Sequence, residues 1–352
     1  MSHSTTIWHF AAGGKGRNYS DLLIEWDVIV LGPGRLGSWK DNRSAYDESG
    51  ISSTKVGEIR RFYEEIDYGD LVVLRRKTSN VYAVGEVVGE AKCLEAFADV
   101  DGWDLQHTRR VRWLWTCNGS PKSFDTYTFE WGSTLHKGVK DEISEWIETL
   151  NLKANADREL QDLPQEYGQE ISAQDIGRHL FDAGVDANAI NDLIEEIDEL
   201  NRIARWYSRS TATPSEHETV AYLIIPLLRA LGWTPQKMAV EWKRMDLALF
   251  NRLPRTENHL IATVEAKKWG RSCLSARSQA ERYATEVAAD TCRRLVVTDG
   301  NRYGVFVRDD DGNFPDRPDA YLNLADPKDA YPIMHSRGAQ HALRLMSSDW
   351  TA

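Results

Sequence analysis

This chain has few of the residues that zinc knuckles and disulfide frameworks are built from. Its 352 residues include four cysteines, Cys93, Cys117, Cys273 and Cys292, with no Cys-x-x-Cys pair among them, which argues against both. No apolar run approaches the roughly 18 residues of a membrane helix. The start, residues 1–10, lacks a basic region leading into an apolar stretch, so the expectation is a soluble, unsecreted protein of a reducing cytoplasm, with no membrane partner. A nucleotide-driven motor is missing too, because Gly14-Lys15 is followed by Gly16 where a phosphate-binding loop needs Ser or Thr.

Nor is there an overall excess of positive charge: 43 Lys+Arg stand against 54 Asp+Glu, a net charge of -11. The charge is unevenly divided along the chain. Residues 1–135 carry 16 basic against 19 acidic side chains and residues 136–210 carry 8 against 17. Residues 211–308 reverse the sign, with 15 basic against 10 acidic, and the tail 309–352 carries 4 against 8. Phosphate contact is local, so a basic segment beside an acidic helical surface is compatible with nucleic-acid binding.

What is present suggests an α+β multidomain chain. Residues 1–135 read as β-rich, with short strands at residues 26–31, 70–75, 81–88 and 110–114 between Gly and Asp turns, and hold a large share of the 13 tryptophans. From about Lys137 the apolar spacing becomes helical, in Ile143, Trp146, Ile147 and Leu150, then in Ile176, Leu180, Ile190, Leu193, Ile194 and Ile197. This defines a helical connector over 136–213, whose apolar stripes are candidate surfaces for a homodimer. From Pro214 onward the order reads helix, strand, strand, helix, strand, strand, with Thr213-Pro214-Ser215-Glu216 opening the first helix. Residues 239–250 and 260–267 form the first strand pair, residues 275–288 the helix, and Asp299-Gly300-Asn301-Arg302 the turn of a hairpin.

The chemistry lies in the third segment, 214–352. In a strand, residues two apart share a face, so Glu265 and Lys267 point together while Ala266 enters the core. Asp246 interrupts an otherwise strand-like run. Two carboxylates can hold Mg²⁺ through oxygen, with Mn²⁺ as a substitute, and a lysine beside the attacking water can orient it and offset transition-state charge. The competing reading is a structural ion pair between Asp246 and Lys267, which leaves Glu265 on a buried strand without a cation.

Around that core lie Glu216-His217-Glu218-Thr219, Pro226-Leu227-Leu228, Leu231-Gly232-Trp233, Glu241, Asp246, Glu265-Ala266-Lys267, Gln279-Ala280-Glu281-Arg282-Tyr283 and Val297-Thr298-Asp299-Gly300. In this order and spacing the segment resembles a PD-(D/E)XK nuclease of the kind found at the N terminus of type I restriction motor subunits. The resemblance implies an α/β nuclease fold and a metal-dependent endodeoxyribonuclease. It implies Asp246, Glu265 and Glu218 as metal ligands, with Lys267 and Gln279 completing the catalytic set; Glu216 is the substitute for Glu218.

Residues 32–37, Gly-Pro-Gly-Arg-Leu-Gly, fit a dinucleotide fingerprint literally. The residues that follow, Ser38 to Asn42, do not read as an amphipathic helix, so a glycine-rich loop is expected instead. Ile7-Trp8, residues 26–32, Ile59-Arg60-Arg61-Phe62, residues 68–73, residues 81–89 and residues 99–113 resemble a PUA-superfamily domain of the EVE or YTH type. That likeness implies a small β-barrel over 1–135 that recognises a modified base, a modified cytosine among the candidates. The side chains able to stack on an extruded base or bond its edge are Trp8, Trp26, Trp39, Trp103, Asp104, His107 and Arg109. Together the two resemblances imply a modification-dependent restriction enzyme of an antiviral defence system, acting on DNA that carries a modified base. The alternatives are an RNA-directed nuclease, and a non-cutting binder of nucleic acid or a small ligand that keeps the nuclease fold.

Overall fold

The computed structural model describes residues 5–14, 16–125, 128–130, 132–164, 168–209 and 213–349. The chain divides into two compact units, residues 1–166 and 167–352. Lys15, the lysine of the excluded phosphate-binding loop, lies outside the described residues.

The first unit is a mixed sheet of β1 (Ile7–Ala11), β2 (Val28–Leu31), β3 (Leu71–Arg76), β4 (Asn80–Val87), β5 (Lys92–Cys93), β6 (His107–Thr116), β7 (Lys122–Ser123) and β8 (Leu135–Lys137). Its order is β2-β6-β4-β3-β1-β8, with β5 on β6 and β7 on β4. Val73 of β3 and Val81 and Val84 of β4 enter a core that Ile143 and Ile147 of helix α4, introduced below, help to fill. The expected small β-barrel is only a half-barrel. β6 passes from β4, which its last six residues pair, to the four-residue β2, which its first four residues pair, and among the described residues no pairing joins β2 to β8.

Four helices accompany the sheet: α1 (Ser20–Glu25), α2 (Trp39–Glu48), α3 (Ser53–Glu64) and α4 (Asp141–Glu148). α2 contradicts the expectation that no helix follows the glycine loop. Ser38 caps its N-terminus by accepting a hydrogen bond from the Lys40 N–H, and its buried residues are Trp39 and Tyr46, two turns apart. So sparse an apolar stripe gives little periodic signal. The dinucleotide reading fails all the same, because β2 pairs antiparallel with β6 and is not part of a parallel strand–helix–strand unit.

The second unit opens with α5 (Ala173–Asp182) and α6 (Ala187–Arg209), followed by α7 (Glu216–Thr219), a π turn over Val220–Ile224, and α8 (Ile225–Ala230). Its sheet contains β9 (Met238–Trp242), β10 (Met245–Phe250), β11 (Leu260–Ala266), β12 (Arg294–Thr298), β13 (Arg302–Val307), β14 (Ala320–Asn323), β15 (Ala330–Tyr331) and β16 (Ser336–Arg337). Helix α9 (Arg277–Ala288) connects the parallel pair β11 and β12, and α10 (Ala339–Met346) closes the chain. The strand order is β15-β16-β14-β13-β12-β11-β10-β9. One sheet face, with Leu247, Leu249, Val264 and Val296, packs on α5, α6, α8 and α10. The other, with Ala248, Phe250, Leu295 and Val297, packs on Ala280, Ala284 and Ala288 of α9.

Two readings of the sequence are corrected here. The stretch 239–250 is not one strand but the hairpin β9–β10, turning at Lys243 and Arg244, both with positive φ. Glycine or asparagine, which adopt that conformation most readily, are absent from the turn, so the hairpin signal was missing. The connector 136–213 is also no separate body: α4 belongs to the first unit, whereas α5 and α6 belong to the second. Ile176, Leu180, Ile190, Leu193 and Ile197 are buried in the same core as α8 and the sheet. The apolar stripes offered for a homodimer are therefore occupied within the chain.

Asp70, at the start of the strand expected over 70–75, anchors the first unit. Its carboxylate accepts hydrogen bonds from the Trp8 indole N–H at 2.8 Å, the Thr6 N–H at 3.0 Å and the Asp67 N–H at 3.0 Å. Removing a buried acceptor leaves its donors unpaired. Asp70→Ala is expected to cost about 3 kcal/mol in the urea unfolding of the first unit, followed by tryptophan fluorescence. A shift within error of zero would show that these bonds do not anchor β1 to β3.

Candidate functional site

In the second unit the register of β10 on β11 sets Leu247 opposite Val264. One step further along the ladder, Asp246 stands opposite Glu265. Leu247 and Val264 take the face packed on α8, so both carboxylates take the face of α9. Asp246 is held in place by the Ala266 N–H, which donates to its Oδ2 at 2.7 Å. Glu265 is 2% exposed. Lys267 continues the β11–β12 ladder through its N–H to Thr298 O at 2.7 Å, and its Nζ lies 3.6 Å from Glu265 Oε1.

Gln279 on α9 joins these groups. Its Nε2 donates to Glu265 Oε1 while its Oε1 accepts from Lys267 Nζ at 3.2 Å. Glu265 Oε2 is buried and has no hydrogen-bond partner among the described residues. Burial first, and the charge of Asp246 second, push the Glu265 carboxyl up to about 7 against the pull of Lys267. Asp246 is raised as well, chiefly by burial, and held back by the Ala266 N–H and Lys267. The hairpin after β12 supports the lysine strand: buried Asp299 accepts from the N–H groups of Asn301 and Arg302 and from Gly270 N at 3.2 Å. Gly300 has φ +87°, and a Cβ there would come within 2.7 Å of Thr219, so the hairpin lies directly against α7.

The helix carboxylate differs from expectation. Glu218 is exposed and turned back on its own helix start, where its Oε2 accepts the Ser215 N–H at 2.7 Å in a capping box. Those bonds to Ser215 hold its pKa below the usual range. Glu216, the substitute, is the helix carboxylate whose charge reaches Glu265. The Ser-x-x-Glu spacing of a capping box was legible in the sequence and favours this outcome. No group of three or more His, Cys, Asp or Glu set to hold a metal ion occurs among the described residues.

The first unit holds a cavity of about 870 Å³. Trp103 and Asp104 line it, together with Arg17, Tyr19, Arg76 and Lys77. The Arg17 guanidinium lies 4.7 Å from the Trp103 ring centre and donates to Asp101 O at 2.9 and 3.1 Å. Asp104 Oδ2 accepts the Arg35 N–H at 2.7 Å; Oδ1 is buried without a partner among the described residues. Arg17 was missed by sequence reasoning, which followed aromatic residues and passed over the arginine of the glycine-rich stretch 13–17.

The other five expected base-binding residues lie in the core. Trp8 is spent on Asp70, Trp39 donates to Glu64 at 2.9 Å, and Trp26 is buried. Arg109 donates to Ile66 O at 2.7 Å. His107 is fully buried, and both of its ring nitrogens are engaged. A carbonyl only accepts, so Nε2 carries the proton and donates to Pro33 O at 3.0 Å, and Nδ1 accepts from the Tyr63 hydroxyl at 3.0 Å. Burial lowers its pKa to about 4, so it stays neutral and ties the glycine loop to the sheet.

The raised Glu265 pKa has a direct consequence. Between about 4.5, its ordinary value, and about 7 the folded state binds a proton that the unfolded state has released. Stability therefore falls as pH rises through that window, by up to roughly 3 kcal/mol. Glu265→Gln, which mimics the protonated form, is expected to raise the urea midpoint at pH 8 and leave it unchanged at pH 4.5. Equal effects at both pH values would contradict the assigned shift.

Residues 8–136, all within the first unit, match a family model described as a domain of unknown function (DUF8426). No curated protein matches the chain. Among solved structures, the chain is similar to the YTH domain of the Zygosaccharomyces rouxii MRB1 protein, in complex with N6-methyladenosine RNA. The identity is 10% and the TM-score 0.23, over 47% of this chain and 92% of that one.

Proposed function

We propose that this protein is a modification-dependent DNA endonuclease, in which the second unit hydrolyses a phosphodiester bond and the first reads a modified base. The observation that carries the reading is Glu265: a buried carboxylate with one unpartnered oxygen, set across a strand pair from Asp246 and 3.6 Å from Lys267. Like charges opposite one another in a sheet are destabilising, and a half-satisfied buried carboxylate adds to the cost. A divalent cation between the two would relieve both penalties.

Two carboxylates are enough for Mg²⁺, which keeps several of its waters; Mn²⁺ would substitute. When bound, such a cation lowers the pKa of a coordinated water and offsets charge developing on the phosphate. Asp246 and Glu265 would hold it. Lys267, steadied by Gln279, adds positive charge beside the reacting phosphate, so Gln279 acts as a positioning residue. In the first unit, the Trp103 ring provides a flat face for an extruded base, while Asp104 supplies an acceptor for its edge. Cutting both strands of a duplex would take two copies of the chain, one site per strand.

The test is incubation of the full chain and Mg²⁺ with matched DNAs carrying cytosine, 5-methylcytosine, 5-hydroxymethylcytosine or glucosylated hydroxymethylcytosine. Cleavage of one modified DNA over the plain duplex is expected, and no cleavage of any would refute the reading. Asp246→Ala should reduce cutting at least a thousandfold and also abolish the rise in unfolding midpoint that Mg²⁺ gives the wild type; undiminished cutting would exclude the site. Trp103→Ala should remove the preference among the four DNAs while Mg²⁺ still stabilises the second unit.

A further inference from the structure

Beside the carboxylate pair lies a row of aromatic rings that this chemistry does not use. α6 is acidic along its middle, at Asp192, Glu195, Glu196, Asp198 and Glu199, and turns basic near its end, at Arg202, Arg205 and Arg209. At that end Trp206 is 60% exposed and meets Tyr207 at 4.9 Å between ring centres. Tyr207 in turn meets Trp269 at 6.1 Å. Trp269 follows Lys267 by two residues, so the row begins next to the proposed metal site. On the adjoining helix Tyr222 is 55% exposed. Its phenol and the Glu218 carboxylate both act on Tyr207, whose pKa is raised first by burial and then by these two.

Exposed rings of this size are few, and in the second unit the only other aromatic among the large exposed hydrophobics described is Phe181. Cations neighbour these rings along the chain. Arg209, Lys268 and Arg271 are exposed and have no ion-pair partner among the described residues. Exposed rings together with unpaired cations suit one kind of ligand, a strand that offers bases to stack and phosphates to pair. An apolar protein surface would leave those cations desolvated and unmatched.

We propose that this aromatic shelf, the exposed rings of Trp206 and Tyr222 backed by buried Tyr207 and half-buried Trp269, holds unpaired bases of the nucleic-acid strand next to the phosphate presented to Asp246 and Glu265. The second unit would then act on single-stranded or locally opened substrate. The inference rests on the nuclease reading for the position of the phosphate, but its test needs no cleavage.

Binding of fluorescein-labelled (dT)20 and of a blunt 20-base-pair duplex is measured by anisotropy in EDTA, using the full chain with Asp246→Ala. Adding Trp206→Ala and Tyr222→Ala together is expected to weaken (dT)20 binding about tenfold or more and duplex binding less than twofold. Bromodeoxyuridine oligonucleotides should crosslink to Trp206 or Tyr222. Both rings are exposed, so the variants should fold, as checked by their urea midpoints. Equal loss on both ligands, no loss on either, or a loss of self-association in sedimentation instead would overturn the shelf. Intact single-strand discrimination by a chain that cuts nothing would overturn the nuclease reading alone.

Discussion

Asp246 and Glu265 face each other across two hydrogen-bonded strands, on the side of the sheet that α9 covers. A sheet normally fills such positions with apolar or oppositely charged pairs. Here the repulsion is only partly compensated: the Ala266 N–H holds one carboxylate, Gln279 and Lys267 hold one oxygen of the other, and one oxygen is left over. A few neighbouring groups hold this arrangement in place. Alanines at 280, 284 and 288 let α9 approach the strands closely enough for Gln279 to reach Glu265. Asp299 ties the loop after Lys267 to the neighbouring hairpin. Preorganised, incompletely neutralised charge of this kind is what cation binding and phosphate chemistry require.

The first unit applies the same economy to a different end. Polar groups buried in it mostly hold loops around the cavity. Glu58 accepts from Ser133 Oγ and the Thr134 N–H, Arg75 donates to the carbonyls of Glu130 and Ser133, and the Tyr63–His107–Pro33 chain fixes the glycine loop. Trp103 and Asp104 are thereby left lining a space framed by rigid backbone. Residues that resemble recognition groups by type, His107 and Arg109 above all, turn out to be the fasteners.

How far the sequence could be read depended on whether the signal was local. The turn-bounded strands β3 and β4, the helical spacing of α5, α6 and α9, and the Asp299–Arg302 hairpin all follow from side-chain period and turn chemistry, and all are present. Glu265-x-Lys267 was legible for the same reason, since period two places both on one face. α2 was not, because two aromatic residues seven apart make too faint a stripe, and the β9–β10 turn was not, because lysine and arginine occupy its positive-φ positions.

By itself the sequence determined the strongly periodic elements, the basic character of 211–308 and the residue types able to bind a cation. Tertiary structure decided which of them meet. Antiparallel register brought Asp246 opposite Glu265 from 19 residues away, and a capping hydrogen bond turned Glu218 back onto Ser215 at its own helix start. Burial turned five of seven candidate base-binding side chains into core. These outcomes depend on strand pairing, desolvation and competition for hydrogen-bond partners between residues distant in the chain, and no local pattern encodes which partner prevails.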